Sequence, residues 1–288
     1  MSVCSASMSE TTWRLLQSGE GSGAWNMAVD AALLEAVSAG AAQPTLRFYG
    51  WSPPCLSLGY FQALDIVDLD ACADRGVDVV RRPTGGRAIL HDQEVTYSLA
   101  LPAEVLGQDH GILPSYHRIS RGIQSGLEQL GVRTTLAPGS AGLRVAERGP
   151  ICFDRPSSHE ILLDGRKLVG SAQVRRGGAL LQHGSILIEP RLENLVACLK
   201  PSPWETGSVQ QLARSVIGLT EVGLVERAAI AQAVAWGIAR EFGVGLRPGR
   251  LSPAESAFAT AIMESDPRVD HAHSRVSPAG AQKATRTR

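Results

Sequence analysis

The chain has 288 residues, of which 44% are hydrophobic, and its 28 basic and 28 acidic residues give a formal net charge of zero. This composition allows one principal α/β domain with a buried core, and the balanced charge argues against nucleic acid or an anionic membrane as the partner. No segment approaches the roughly 20 apolar residues that cross a bilayer, and the first ten residues lack the basic start and apolar core of a signal peptide. We therefore expect a cytoplasmic protein.

The first half of the chain predicts a helix followed by short strands. Residues 24–38 place apolar side chains at helical spacing, and Gly40 ends the pattern. Residues 45–51 and 55–60 are strand-like runs separated by two prolines, and we expect them to pair as a hairpin. The elements that follow are a short helix over 67–75, a buried strand over 77–80, a turn within 81–91 and an alternating strand over 94–102.

The second half predicts a helix, a pair of hairpins and more helices. An amphipathic helix over 114–130 precedes a strand at 132–137 and a loop over 138–150. Between 159 and 188, three apolar runs are separated by the dipeptides Asp164-Gly165 and Gly177-Gly178, which are strong hairpin-turn signals. Helices are then predicted at 191–199, 207–215 and 221–242, and the last twenty residues are predicted to be disordered because they contain few large apolar side chains.

Cysteine and lysine usage narrows the list of candidate reactive residues. The five cysteines are an odd number without CxxC spacing, which favours free thiols over a disulfide framework or a zinc site. Only three of the 28 basic residues are lysines, and an arginine cannot replace a lysine where the amine must lose its proton. The cysteines are Cys4, Cys55, Cys72, Cys152 and Cys198, and the lysines are Lys167, Lys200 and Lys283.

The glycine pair Gly85-Gly86 is the first candidate for a binding function. It lies in the segment RRPTGGRAILH, where backbone amides beside glycines can approach an anionic or carbonyl oxygen closely. The nearby arginines favour a phosphate or phosphopantetheine. A tight turn with solvated arginines is the ordinary alternative, and an isolated glycine pair is weak evidence on its own.

Lys167 is the second candidate, in the segment GRKLVGSAQ. The turn at Asp164-Gly165 places Lys167 near the start of a return strand, followed by small residues that leave space beside the backbone. Its amine could contact an acyl carbonyl, or exchange a proton if burial or neighbouring arginines lowered its pKa. The alternative is a solvated lysine on the rim of the hairpin. The scarcity of lysine favours the functional interpretation.

Cys152 is the third candidate, in the proline-bounded segment GPICFDRPSSHE. Loops on a rigid sheet often carry nucleophiles, and a thiol gains thiolate character beside Arg, Lys or His⁺. Arg155, His159 and Lys167 are the candidate neighbours. We expect the other four cysteines to be inert, and two of them lie in predicted helices without reactive residues nearby.

Two histidines remain open between a structural role and proton transfer. His183 lies beside a glycine in LLQHGSILI, and His91 ends the glycine-pair segment. A histidine on a strand is at least as often held by a backbone hydrogen bond as used for proton transfer. Both rank below Lys167 and Cys152 as candidate catalytic groups.

In order and spacing, the segments AWNMAVDAALLE, RRPTGGRAILH and CFDRPSSHEILLDGRKLVGSAQVRRGGALLQHGSILI resemble the lipoate-protein ligase A and biotin ligase superfamily. The resemblance covers about residues 13–245 and is closest to the octanoyltransferase branch, because Cys152-Phe153 and Pro156-Ser157 fit its CF-x-x-PS loop. It implies an α/β (α+β) fold with mostly antiparallel mixed sheets flanked by helices. It also implies a catalytic domain over 13–245, a helical extension over 246–268 and a disordered tail over 269–288.

The same resemblance implies an acyl transfer from octanoyl-phosphopantetheine on acyl carrier protein to a lysine of a lipoyl-domain protein. The acceptor would be the glycine cleavage H protein or a 2-oxoacid dehydrogenase E2, without ATP or a metal. Cys152 would be the acyl-accepting nucleophile, and Lys167 would position the thioester carbonyl. The expected substrate-binding residues are Arg82, Gly85, Gly86, His91, Ser171, Ala172 and His183.

Three alternative functions stay open at this point. An ATP-dependent lipoate-protein ligase would use Lys167 and the glycine turn for an acyl-adenylate, with Cys152 as a bystander. However, such ligases commonly carry an accessory domain after the catalytic one, and only about 45 residues follow the last predicted helix. An amidotransferase between two lipoyl-domain proteins would use the same cysteine. A non-catalytic binder of lipoyl domains or lipoate is the alternative from a different class, and the presence of Cys152 and Lys167 argues against it.

Overall fold

A computed structural model describes residues 11–107, 111–137, 160–201 and 209–265. These residues form a mixed α/β fold built on a large sheet and a small one. The strands are β1 (Thr12–Gly21), β2 (Thr45–Trp51), β3 (Cys55–Leu58), β4 (Asp78–Arg81), β5 (Ile89–His91), β6 (Gln93–Pro102), β7 (Thr135–Leu136), β8 (Ile161–Leu163), β9 (Arg166–Arg176), β10 (Ala179–Glu189) and β11 (Gly245–Pro248). The helices are α1 (Gly23–Ser38), α2 (Leu69–Asp74), α3 (Ile112–Gln129), α4 (Leu192–Ala197), α5 (Val209–Ser215), α6 (Arg227–Phe242) and α7 (Pro253–Ser265).

The large sheet has the strand order β11-β1-β2-β6-β10-β9-β8-β7, and the small sheet has the order β4-β3-β5. In the large sheet β1 pairs in parallel with β2 and β11, and the pairs from β2 through β6, β10, β9 and β8 to β7 are antiparallel. In the small sheet β3 pairs in parallel with β4 and antiparallel with β5. The prediction of a mostly antiparallel mixed sheet flanked by helices is confirmed.

The helices cover the large sheet on both faces. On one face, α3 and α6 pack against each other and bury the main apolar core, which includes Trp13, Tyr97 and Ile123. On the other face, α1 packs against the sheet and α7 packs against α1. The small sheet has its own core with α2, α4 and α5. It meets α1 and β2 in a cluster that contains Met27, Trp51 and Cys55.

Both predicted hairpin turns in the second half are present. Asp164-Gly165 and Gly177-Gly178 have positive φ at both residues, the conformation that two-residue hairpin turns require. The glycine pair Gly85-Gly86 lies, as predicted, between strands β4 and β5. The helices predicted at 24–38 and 114–130 correspond to α1 and α3.

The hairpin expected from residues 45–60 is wrong. Strand β2 pairs with β1 and β6 in the large sheet, whereas β3 belongs to the small sheet. The connection between them contains Pro53 and Pro54, which have no backbone N–H to donate to a ladder. The chain therefore changes sheets at these prolines. Among the described helices, none is long and apolar enough to cross a membrane.

Candidate active site

A pocket lies between the large sheet, the small sheet and α1. Its apolar wall includes Met27, Tyr49, Trp51 and Ile89, so it suits an apolar chain. The remaining lining residues are Arg82, His91, Thr96, Gly170, Ser171, Ala172, His183, Gly184 and Ser185.

Strand alternation explains why polar groups reach this pocket. Successive strand residues point to opposite faces, so Val95, Tyr97 and Leu99 of β6 enter the core under α3 and α6. The residues between them, such as Thr96, face α1 and the small sheet. Tyr49 and Trp51 of β2 and His183 and Ser185 of β10 share that second face. A row of buried polar side chains therefore forms on the side of the sheet that carries the pocket.

Asp30 on α1 is the centre of the first buried polar network. Its carboxylate pairs with Arg47 at 2.8 Å and accepts hydrogen bonds from Tyr49 at 2.9 Å, Ser98 at 2.8 Å and His183 Nδ1 at 3.0 Å. Burial would raise the pKa of Asp30, but the hydrogen bond with His183 and the charge of Arg47 hold the pKa below its usual value. The carboxylate therefore stays ionised although it is fully buried.

His183 links this network to the glycine turn. Burial lowers the pKa of His183 despite the nearby Asp30, so the ring is neutral near pH 7. A carboxylate only accepts hydrogen bonds, so we assign the ring proton to Nδ1, which leaves Nε2 to accept from the Thr84 hydroxyl at 2.7 Å. The backbone oxygen of Thr84 in turn accepts from the N–H of Tyr60. The His183 ring thus anchors the glycine turn through its hydrogen bond with the Thr84 side chain.

Glu94 on β6 is the centre of a second network. Its Oε1 accepts from Thr96 at 2.6 Å and Ser185 at 2.7 Å and lies 2.8 Å from His91 Nδ1. Burial would raise the pKa of Glu94, but the charge and hydrogen bond of His91 outweigh it and lower the pKa. The His91 ring stacks on Trp51 with ring centroids 4.1 Å apart, and its Nε2 lies 2.8 Å from the Ser57 hydroxyl.

The Arg82 side chain stabilises the glycine turn from its buried side. Its guanidinium is buried and donates to the backbone oxygens of Ser57, Gly85 and Arg87 at 3.0, 2.9 and 2.8 Å. Gly86 has φ +95°, and a Cβ there would lie 2.6 Å from the Arg82 guanidinium. Gly85 differs, because a Cβ there would meet nothing within 4 Å. Only the second glycine is thus required by the folded turn itself.

Lys167 is fully buried rather than solvated, so the rim alternative is wrong. It lies on β9, and its Nζ is 2.6 Å from Glu160 Oε1, whose side chain is also buried. The backbone oxygen of Lys167 accepts from the N–H of Ile217, which anchors this part of the strand. Glu160 directly follows the undescribed segment 138–159. The ion pair therefore stands where that segment joins the sheet.

The structure brings most of the predicted site residues together. Arg82, His91, Ser171, Ala172 and His183 line the pocket. Gly85 instead lines an adjoining open cleft, which shares Met27 and Arg82 with the pocket. Gly86 lies on the same turn, and Lys167 lines neither space. Cys152 lies outside the described residues, so its role stays a prediction.

The three described cysteines are buried, and their surroundings shift their thiol pKa values in different directions. Cys55, Cys72 and Cys198 are free and buried. Burial raises the pKa of Cys55 well above its usual value. The hydrogen bond with Cys198 raises the pKa of Cys72 and lowers that of Cys198. All three are closed to solvent, and Cys4 lies outside the described residues.

The sequence reasoning missed the buried charges behind the pocket. Asp30, Arg47 and Glu94 were not singled out, because charged residues are usually exposed. The signal was present in two patterns. Asn26 and Asp30 are four residues apart on the buried face of α1, which is otherwise apolar. Strands β2 and β6 alternate polar and apolar residues although both of their faces are buried.

The site combines an apolar chamber with fixed hydrogen-bonding groups at its border. Such a site suits a ligand with an apolar chain and a polar head group. Within the described ranges, no group of three or more His, Cys, Asp or Glu side chains is arranged to hold a metal ion. Side chains that face the pocket are held by the Asp30 and Glu94 networks, so the site is preorganised.

Comparison with known proteins agrees with this architecture. Residues 22–237 match the lipoyl protein ligase A/B catalytic domain family. Octanoyltransferase LipM of Kyrpidia tusciae is 43% identical over 263 residues, covering 88% of this chain and 95% of that protein. A lipoate-protein ligase A solved with bound ATP is 25% identical, with a TM-score of 0.73, covering 89% of this chain and 95% of that chain.

A further solved structure is of an archaeal system from Thermoplasma acidophilum, described as a bipartite lipoate protein ligase and its E2 lipoyl domain. It is 23% identical and has a TM-score of 0.74, covering 88% of this chain and 93% of that chain. This likeness concerns the fold. On the family match and the identity to the curated relative, the chain belongs to the lipoyl protein ligase A/B catalytic domain family, in its octanoyltransferase branch.

Proposed function

We propose that this protein is an octanoyltransferase that moves an octanoyl group from a phosphopantetheine thioester on acyl carrier protein to a lysine of a lipoyl-domain protein. The acyl group would rest on Cys152 between the two steps. The apolar pocket would hold the octanoyl chain, and its polar border would receive the carbonyl. The name of the 43% identical relative and the lipoyl-domain partner of the archaeal ligase support this assignment.

The reaction balances as two acyl transfers. In the first, the Cys152 thiolate attacks the donor carbonyl, the bond from carbon to the pantetheine sulfur breaks, and the released thiolate takes up a proton. In the second, the neutral acceptor amine attacks the enzyme thioester, an amide forms, the bond from carbon to the Cys152 sulfur breaks, the thiolate leaves, and the amine nitrogen gives up one proton to solvent. Splitting the transfer in this way is covalent catalysis and predicts ping-pong kinetics.

The buried ion pair of Lys167 and Glu160 is the observation that carries the proposal. A lysine is rarely fully buried without a specific partner or task. Here Glu160 stands where the Cys152 segment joins β8, and its partner on β9 is one of only three lysines in the chain. We assign to Lys167 the stabilisation of negative charge on the cysteine sulfur or on the tetrahedral oxyanion.

No ATP is required by this chemistry, because thioester exchange is nearly balanced and aminolysis of a thioester is downhill. We also propose that no metal takes part. The acceptor would be the glycine cleavage H protein or a 2-oxoacid dehydrogenase E2, and the reaction would take place in the cytoplasm.

The test compares two acyl sources with an apo lipoyl domain as acceptor. With octanoyl-acyl carrier protein alone, wild-type enzyme should modify the acceptor, ATP should change nothing, and Cys152→Ala should abolish the reaction. With free octanoate or lipoate, ATP and Mg²⁺, no product or pyrophosphate should form. Strict dependence on ATP together with indifference to Cys152→Ala would instead identify a ligase.

A further inference from the structure

An open cleft adjoins the apolar pocket, and exposed aromatic side chains line it. Phe61 is 89% exposed and Tyr60 is 46% exposed, and their rings meet edge to face at 5.0 Å. Ile112 and Phe258 add exposed apolar surface on the other elements that line the cleft. Exposed apolar side chains grouped around one cleft are a mark of an interaction site.

The loop that carries these aromatics is held in place. The Arg81 guanidinium donates to the backbone oxygens of Gly59, Tyr60 and Gln62, and the Tyr60 N–H donates to Thr84. Gly59 packs so closely on the glycine turn that an added Cβ would lie 2.0 Å from the backbone oxygen of Gly86. Phe61 is thus presented on a rigid support, which lowers the entropy cost of using it for binding.

The described part of the cleft lining is strongly basic. It contains four arginines and one acidic residue, Glu35. The bonds from Arg81 go to neutral backbone oxygens, which leave its positive charge uncancelled, and Arg176 is exposed at the end of β9. Guanidinium groups bind phosphate in a bidentate geometry, and arginine with aromatic residues is the combination enriched at binding hot spots.

We propose that this cleft is the docking surface for the acyl-donor carrier protein, with Tyr60 and Phe61 contacting the carrier and with Arg81 and Arg176 binding the phosphodiester of its prosthetic arm. This inference rests on the proposed function. The cleft shares Met27 and Arg82 with the pocket, so a phosphate-bearing arm that lies along the cleft brings its thioester to the pocket. The acceptor brings a lysine amine without a phosphate, and the basic lining would repel its ammonium form.

The experiment uses two donors and two matched pairs of variants of the full-length enzyme. The donors are octanoyl-acyl carrier protein and octanoyl-N-acetylcysteamine, a small thioester without phosphate or protein. The cleft variants are Phe61→Ala and Arg176→Glu. The controls are Trp236→Ala, which removes another exposed aromatic, and Arg247→Glu, because neither position lines the cleft.

Each cleft variant should raise KM for the carrier donor about 10-fold or more, as expected for an interface hot spot, while kcat and the small-donor kinetics stay unchanged. Arg176→Glu should also reduce the salt dependence of carrier kcat/KM. The control variants should behave as wild type. Titration of non-acylated holo-carrier should give a matching rise in Kd, and apo-carrier, which lacks the arm, should lose the Arg176 effect.

Three results would overturn the proposal. The carrier KM and Kd could stay unchanged in both cleft variants, the KM for the lipoyl domain could rise instead, or sedimentation could show that Phe61→Ala dissociates a homodimer. Failure of the proposed function looks different, because wild-type enzyme would then transfer nothing from the carrier. In that case the holo-carrier titration still decides whether the cleft binds a carrier.

Discussion

The buried pair of Lys167 and Glu160 allows catalysis and stability to be separated by a double-mutant cycle. Lys167→Met removes the charge at similar side-chain length and leaves the Glu160 carboxylate buried without its lysine partner. Removal of one partner of a buried ion pair costs about 3–5 kcal/mol. At about 2–4 °C per kcal/mol for a protein of this size, Tm should fall by roughly 6–20 °C. Glu160→Gln should destabilise by a similar mechanism, since it strands the lysine.

The double variant Lys167→Met/Glu160→Gln should recover at least half of the lost Tm, because neither side chain is then a stranded charge and neutral replacements of buried pairs are often tolerated. Its activity should stay low. If Lys167 stabilises a developing negative charge, its loss costs about 100-fold or more in rate whatever happens to stability. Single-turnover acylation of the enzyme by octanoyl-acyl carrier protein, below the lowest Tm of the set, measures this rate.

The double-mutant cycle can refute the catalytic role of Lys167. Should the double variant regain acylation in step with its Tm, Lys167 would be a structural residue whose charge is needed only to neutralise Glu160. A double variant that stays unstable would show that the pair is not the main source of the loss. Lys200→Met, at an exposed lysine, is the matched control and should change neither measurement.

The remaining predictions concern the nucleophile, acid stability and the glycine turn. Incubation with octanoyl-acyl carrier protein should leave an octanoyl adduct on the enzyme that hydroxylamine removes, as measured by intact mass. The adduct should be absent in Cys152→Ser and present in Cys72→Ser. An adduct on another residue would show that Cys152 is not the nucleophile. Folding lowers the pKa of Asp30 from about 3.8, so the ionised carboxylate stabilises the fold fully above that value. This stabilisation is lost as the pH falls further. The free energy of unfolding in urea should therefore drop steeply below about pH 4, and the drop should be shallower in Asp30→Asn. Gly59→Ala should lower Tm because its Cβ would clash with backbone, whereas Gly85→Ala should keep Tm, and any fall in its kcat/KM would report a ligand close to that glycine.

Local sequence patterns predicted the elements whose determinants are local. The turn at Asp164-Gly165 needs positive φ at two successive residues, a preference that the dipeptide itself carries. Helix α1 begins with a Ser22 cap, and its apolar spacing is visible in the sequence. Strands β1 and β11 were not predicted, because β11 has four residues and pairs in parallel with a strand more than 200 residues away. Such a pairing has no local signal.

The sequence reasoning named several residues that line the pocket, but it did not predict the contacts that hold them in place. Sequence reasoning placed His183 and Arg82 near a ligand, and both line the pocket. It did not predict that the Arg82 guanidinium would be used on backbone oxygens of the turn. Those contacts depend on the folded turn and on β3 beside it, which no spacing of residues along the chain specifies.

The Asp30 and Glu94 networks both hold the glycine turn. This explains why the glycine pair, a weak signal in the sequence, lies in a well-defined part of the site. The Asp30 network reaches the glycine turn through His183 and Thr84. The Glu94 network reaches it through His91 and Ser57, whose hydroxyl accepts from Arg82 at 3.1 Å. Buried charges cost free energy unless they are hydrogen-bonded, and several donors hold Asp30 and Glu94 Oε1, whereas Glu94 Oε2 has no partner among the described residues. The turn is therefore held from α1 and β10 on one side and from β6 and β3 on the other, which fixes its backbone before any ligand arrives.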